Sequence, residues 1–205
     1  MNTSTYRSFP PEVQQKYREN FARHILSVTL HLQTGIMNAL THKYGHSQLR
    51  INFEPYIAIA GTNGARLSDI AELLGISRQA ANQVANQIEN AGYLKRAADP
   101  TDGRAKLLVA TERAHALIRE GGQETLRMED EFAAIIGQQS LRQMSTHIHC
   151  LNKSLGLLFP HEKADTQVLG ATLPRLSDYI SNRLQTLTMD RGHPHLKRSF
   201  GMVLT

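Results

Sequence analysis

Over most of this chain apolar residues recur at intervals of three and four, the mark of helices with one buried side. Tyr17, Phe21, Ile25, Val28, Leu32 and Ile36 form one continuous stripe, which predicts a single long helix from Glu12 to Tyr44, closed by Gly45. A shorter helix from Asn52 or Phe53 to Ala60 follows, with Pro55 in its first turn, where a missing N–H costs little. Thr62-Asn63-Gly64 is the next turn. Further on, Thr111 caps a helix running towards Ile136, with Ala114, Leu117, Ile118, Leu126, Phe132, Ile135 and Ile136 as its apolar set. Two adjacent glycines, Gly121 and Gly122, cost about 2 kcal/mol relative to alanine, so a bend or break is expected there. From near Ser140, Leu141, Met144, Ile148, Leu151, Leu155 and Leu158 make a narrow seam suited to helix–helix packing.

Between Arg66 and Lys106 the pattern changes. Ser68 is a candidate cap for a short helix with Ile70, Ala71, Leu73 and Leu74 on one side, and Gly75 ends it. Ile76 reads as a buried turn residue and Ser77 as the next cap. In the second helix Ala81, Val84, Ala85 and Ile88 fall at i, i+3, i+4 and i+7, one buried face. Arg78, Gln79, Asn82, Gln83 and Asn86 are left outward. That face is polar but nearly uncharged. It is either an ordinary solvated surface or one built to read base edges, since Asn and Gln can pair with adenine and Arg with guanine or phosphate.

Gly92 closes this helix, Tyr93 to Arg96 predicts a strand, and Ala105 to Ala110 its partner. The loop between them, Asp99-Pro100-Thr101-Asp102-Gly103-Arg104 with Lys106 beyond, combines turn residues with cations. An arginine there can enter a minor groove, and an aspartate two residues earlier can hold its guanidinium. Helix, turn, helix and basic hairpin together resemble the winged helix-turn-helix of the MarR family of bacterial regulators. Asp99-Pro-Thr-Asp102-Gly-Arg104-Ala-Lys106 matches that family's wing motif, and Asn90-Ala-Gly-Tyr-Leu its helix-to-wing junction.

The resemblance spans roughly residues 17–158 and implies a mainly α fold: a winged helix-turn-helix with a two-stranded wing and a helical dimerisation module. The expected organisation is a winged-helix domain over 12–158, with a DNA-binding core at 53–110 and dimerisation helices at 12–45 and 111–158. The resemblance further implies a homodimer on double-stranded DNA and a small-molecule effector, with residues near Tyr56, His31 and His24 as a cleft. The implied DNA-binding residues are Arg78, Gln79, Asn82, Gln83 and Asn86 on the helix, with Arg104 in the minor groove, Asp102 orienting it, and Arg96 and Lys106 on phosphates. Where the family often has Leu-Thr-x-x-Gly after the wing, this chain has Ala110-Thr111-Glu112-Arg113-Ala114.

Residues 159–168 read as a linker and 169–205 as a helical tail. Leu187-Thr188, Gly192-His193, Leu196, Lys197 and Phe200 repeat the order and spacing of Leu40-Thr41, Gly45-His46, Leu49, Arg50 and Phe53, with Gly192 falling 147 residues after Gly45. Either the tail is the truncated start of a second such domain, or two amphipathic helices with glycine stops match by chance. An apolar stripe on the tail requires a packing partner in either case.

Composition narrows the function classes. The 205 residues carry a net charge of +5, and the pI near 9.5 suits an anionic partner. The single cysteine, Cys150, excludes an internal disulfide framework and points to a reducing compartment. Its place beside the leucine seam favours buried packing. The polar first twenty residues and the lack of a long apolar run predict a cytoplasmic protein without a membrane segment. The ten histidines do not fall into a ligand pattern: His42 and His46 straddle a helix end, and His147 and His149 face different ways. No catalytic constellation, metal site or cofactor is expected. Two alternatives stay open: a winged-helix module used only for dimerisation, and a metal- or redox-responsive sensor.

Overall fold

The computed structural model describes residues 10–61, 63–158 and 169–192. Helices α1 (Pro11–Arg18) and α2 (Phe21–His42) come first, then a 3-10 turn (Ile51–Phe53) running into α3 (Glu54–Ala60). Next are β1 (Ala65–Arg66), α4 (Leu67–Leu73), α5 (Arg78–Asn90), β2 (Leu94–Asp99) and β3 (Asp102–Ala110). Helices α6 (Glu112–Ile136), α7 (Gln138–Ser154) and α8 (Leu169–Asp190) complete the described chain. The chain divides into two compact units, 33–128 and the remainder, with α2 and α6 contributing to both.

The expected single first helix is two. The apolar stripe crosses the break without interruption, but Asn20 stops the backbone ladder by capping α2: its Oδ1 accepts the Arg23 N–H at 3.1 Å. The expected break at Gly121-Gly122 does not occur. α6 runs through both glycines unbroken, and Thr125 returns a hydrogen bond to the Gly121 carbonyl at 2.9 Å. A propensity cost of about 2 kcal/mol is small beside the burial of Ala114, Leu117 and Met128 along the same helix.

The core of unit 33–128 gathers Phe53, Tyr56 and Ile57, Ile70 of α4, Ala81, Ala85 and Ile88 of α5, and Tyr93 and Leu108 of the sheet. The sheet has three strands, β1-β3-β2, all antiparallel, where two were expected. The extra strand is only two residues long, too short for an alternation pattern to reveal. At the wing's base His46 is buried, with Nδ1 at 3.2 Å from Tyr93 Oη and Nε2 at 2.7 Å from Glu120. The Arg113 guanidinium lies 4.7 Å from the Tyr93 ring centroid. These contacts join residues distant in sequence, and they make His46 a structural residue.

In the other unit α8 packs on α7. Leu169, Thr172, Leu173 and Leu176 are buried, and Asn152 of α7 donates from Nδ2 to the Thr172 carbonyl at 2.8 Å. The first turn of α8 is held by Glu129, whose carboxylate accepts the Leu169 N–H at 2.6 Å. The start of the tail helix therefore packs on the helical module, while Leu184 and Leu187, further along its stripe, are exposed. Gly192 and Gly45 both take left-handed φ after their helices, +81° and +75°. His193, Leu196, Lys197 and Phe200, on which the repeat comparison also depends, lie outside the described residues, as does the 159–168 linker. Cys150, expected to be buried, is exposed: it falls beside the seam of α7 and not in it. No described helix is long and apolar enough to cross a membrane.

Candidate nucleic-acid interface

The helix pair forms as its residues dictate, with local exceptions. Ser68 does not cap α4: it sits one residue inside the helix and bonds to the Asp69 carboxylate at 3.0 Å, while Arg66 occupies the capping position and its side chain makes no bond to the helix end. Leu73 and Ile76, expected inward, are 42% and 39% exposed. The turn closes instead through Gly75 at φ +63°, with the Ile76 N–H bonded to the Ala71 carbonyl. Ser77 is the cap of α5, its Oγ accepting the Ala80 N–H at 3.2 Å.

With Ala81, Ala85 and Ile88 fully buried, helical geometry turns the remaining positions outward. Arg78, Gln79, Gln83 and Asn86 are exposed, and Asn82 is half-buried. These five positions therefore present four amide side chains and one cation to solvent.

The wing is longer and tighter than expected. β2 and β3 pair from Leu94↔Ala110 to Asp99↔Asp102, leaving Pro100 and Thr101 as the tip. The register shifts between Ala98↔Lys106 and Asp99↔Asp102, so Gly103, Arg104 and Ala105 bulge from the ladder. Arg104 and Lys106 are exposed there. Asp102 does not hold the Arg104 guanidinium; its Oδ1 accepts the Arg104 backbone N–H at 3.1 Å and fixes the bulge.

Asp99, which sequence reasoning left without a role, is the buried acid of the wing. Its Oδ1 accepts the Thr101 N–H at 2.8 Å and hydroxyl at 2.7 Å, and Oδ2 accepts Arg66 Nε at 2.7 Å. The Thr101 hydrogen bonds, then Arg66, hold the carboxyl at a pKa of about 2. The Asx-turn chemistry of Asp-Pro-Thr signalled the Thr101 bonds; nothing local signalled Arg66. The Arg96 guanidinium lies against Asn82, Asn86 and Glu89 of α5.

Of the suggested cleft residues, Tyr56 is buried in the core of its unit, with its hydroxyl lacking a hydrogen-bond partner among the described residues. In the other unit His24 Nε2 lies 2.6 Å from the Arg18 carbonyl, and the His31 ring stands 6.3 Å from Phe132. No group of three or more His, Cys, Asp or Glu able to hold a metal occurs among the described residues.

A helix pair joined by a glycine turn, an amide-rich outer helix and a three-stranded basic wing define a winged helix-turn-helix. Residues 56–105 match the model of the MarR family. Over that stretch the chain is similar to the MarR-family winged helix. No curated protein matches the chain. Among solved structures, the repressor CouR bound to a 23-mer DNA duplex is similar at 16% identity and TM-score 0.51, covering 66% of this chain and 94% of CouR. CouR from Rhodococcus jostii RHA1 bound to p-coumaroyl-CoA is similar at 18% identity and TM-score 0.50, covering 71% and 96%. At these identities the likeness is one of fold.

Proposed function

We propose that the chain is a cytoplasmic, sequence-specific DNA-binding regulator that acts as a homodimer, represses its target and responds to a small effector. The observation that carries this is the outward face of α5, where Arg78, Gln79, Asn82, Gln83 and Asn86 offer base-reading groups beside an exposed Arg104 and Lys106. In this reading α5 lies in the major groove, Arg104 enters the adjacent minor groove, Lys106 meets phosphate, and Asp102 shapes the backbone that carries Arg104.

Dimerisation is supported by the helical unit, where Phe21, Leu30, Ile135, Leu151 and Leu184 are exposed in the single chain. One reading head has a small footprint, and a two-fold pair reads half-sites about one DNA turn apart. The same fold carries DNA in one CouR structure and p-coumaroyl-CoA in another, which supports an effector-responsive binder. Fluorescence anisotropy with duplexes from upstream of the protein's own gene tests the proposal. Binding that weakens steeply with salt is expected. An absence of affinity even at low salt would contradict it.

A further inference from the structure

Side chains alternate along a strand, so Leu94, Arg96 and Ala98 share one face of β2. Leu94 is buried in the core, and Arg96, two residues nearer the wing tip, pairs across the ladder with buried Leu108. From there its guanidinium reaches α5. Nη2 donates to Asn82 Oδ1 at 3.0 Å and to Asn86 Oδ1 at 2.7 Å, while Nε lies 3.1 Å from Glu89 Oε2. The three acceptors follow at i, i+4 and i+7, one stripe of the helix.

A guanidinium only donates. Each amide must therefore turn its oxygen to Arg96 and present its two Nδ2 hydrogens elsewhere. Bidentate reading of adenine needs both the oxygen and the nitrogen of one amide. An amide whose oxygen already accepts a charge-assisted bond keeps one lone pair but is fixed in orientation, and its two free Nδ2 hydrogens match N7 and O6 of guanine or O4 of thymine better than the mixed edge of adenine. Glu89 meanwhile offsets the charge of Arg96, leaving little to attract a phosphate.

Building on the DNA-reading proposal, we infer that Arg96 is a positioning residue that fixes the amide orientation of Asn82 and Asn86 and biases the bases beneath them towards acceptor edges. Its action runs through the asparagines, and the wing thereby sets part of the helix's specificity.

The test uses the full chain, selecting from a random duplex library, with salt dependence measured on the wild-type consensus. Arg96→Lys keeps the charge but cannot fork to three acceptors. It relaxes discrimination against adenine by roughly fivefold or more at the bases under the two amides and leaves other positions unchanged. Arg96→Gln leaves the salt slope unchanged. Asn86→Ala, which leaves Arg96 and its contacts with Asn82 and Glu89 in place, removes a preference for guanine or thymine at one base. A phosphate anchor would behave oppositely: Arg96→Lys would keep every preference and Arg96→Gln would reduce the slope by about one. That result, or a wild-type adenine preference lost in Asn86→Ala, overturns the inference while leaving DNA reading intact. A wild type that enriches no sequence overturns both.

Discussion

Asp99 at the end of β2 accepts the Nε–H of Arg66 from β1 at 2.7 Å, with its own side chain almost wholly buried. This ion pair ties the strand before the helix pair to the tip of the wing, so the hairpin is braced from both sides before it meets any ligand. Bracing matters because a mobile wing would lose side-chain and loop entropy on binding.

The pair makes wing stability dependent on pH. The folded pKa of Asp99, about 2, lies below its ordinary 3.8, so its contribution is full above 3.8 and disappears as pH falls through about 2. Asp99→Asn is expected to lower the melting temperature at neutral pH and to make the decline between pH 3.8 and 2 shallower. Glu124, held at about 2 by hydrogen bonds from Lys43, Arg127 and Tyr44, titrates in the same window. Melts across pH should therefore show a partial flattening in this variant. An unchanged profile would mean that the pair is not formed.

The helix pair should be sensitive to its buried face. Ile88 of α5 is fully buried, and Ile88→Ala is expected to cost about 2–5 kcal/mol in urea denaturation. Ser77→Ala, which removes the cap on Ala80, is expected to cost about 1 kcal/mol. Costs below a few tenths at both sites would contradict the packing described.

Base reading and phosphate anchoring separate by their salt dependence. Gln83→Ala is expected to relax preference at one base with a loss of about 1–3 kcal/mol and an unchanged salt slope. Arg104→Ala should weaken binding on all sequences and lower the slope by about one. Anisotropy titrations from 50 to 200 mM salt, in steps of about 50 mM, distinguish the two patterns.

The tail contributes to the helical unit through α8. Leu173 is almost wholly buried, and Leu173→Ala should destabilise that unit by about 2–5 kcal/mol. Removal of 169–205 should lower the melting temperature and also uncover Asn152, which is fully buried and bonded to Thr172. A truncated chain as stable as the full one would show that α8 is dispensable.

What could be read from the sequence were features encoded locally. The spacing of Ala81, Val84, Ala85 and Ile88 implied the α5 face, Ser77 its cap, and Asp-Pro-Thr-Asp-Gly-Arg the wing. Periodicity located helices but not their continuity: an apolar stripe crossed the Asn20 break unchanged, and two glycines did not break α6. Asn20 itself carried a capping signal that could have been used. Contacts between distant residues left no local trace, which is why Arg66–Asp99, His46–Glu120 and the Arg96 fork emerged only from the structure. Leu73 and Ile76 show the reverse limit, since apolar residues in a short helix and its turn need not face inward.

The central claim is that the outer face of α5 reads bases, and the most direct measurement is the affinity of the full chain for a selected duplex against a scrambled one of equal length and salt. The account predicts a specific site bound at least about a thousandfold more tightly. Equal affinity for both duplexes would contradict it, leaving a basic surface that holds DNA without reading it.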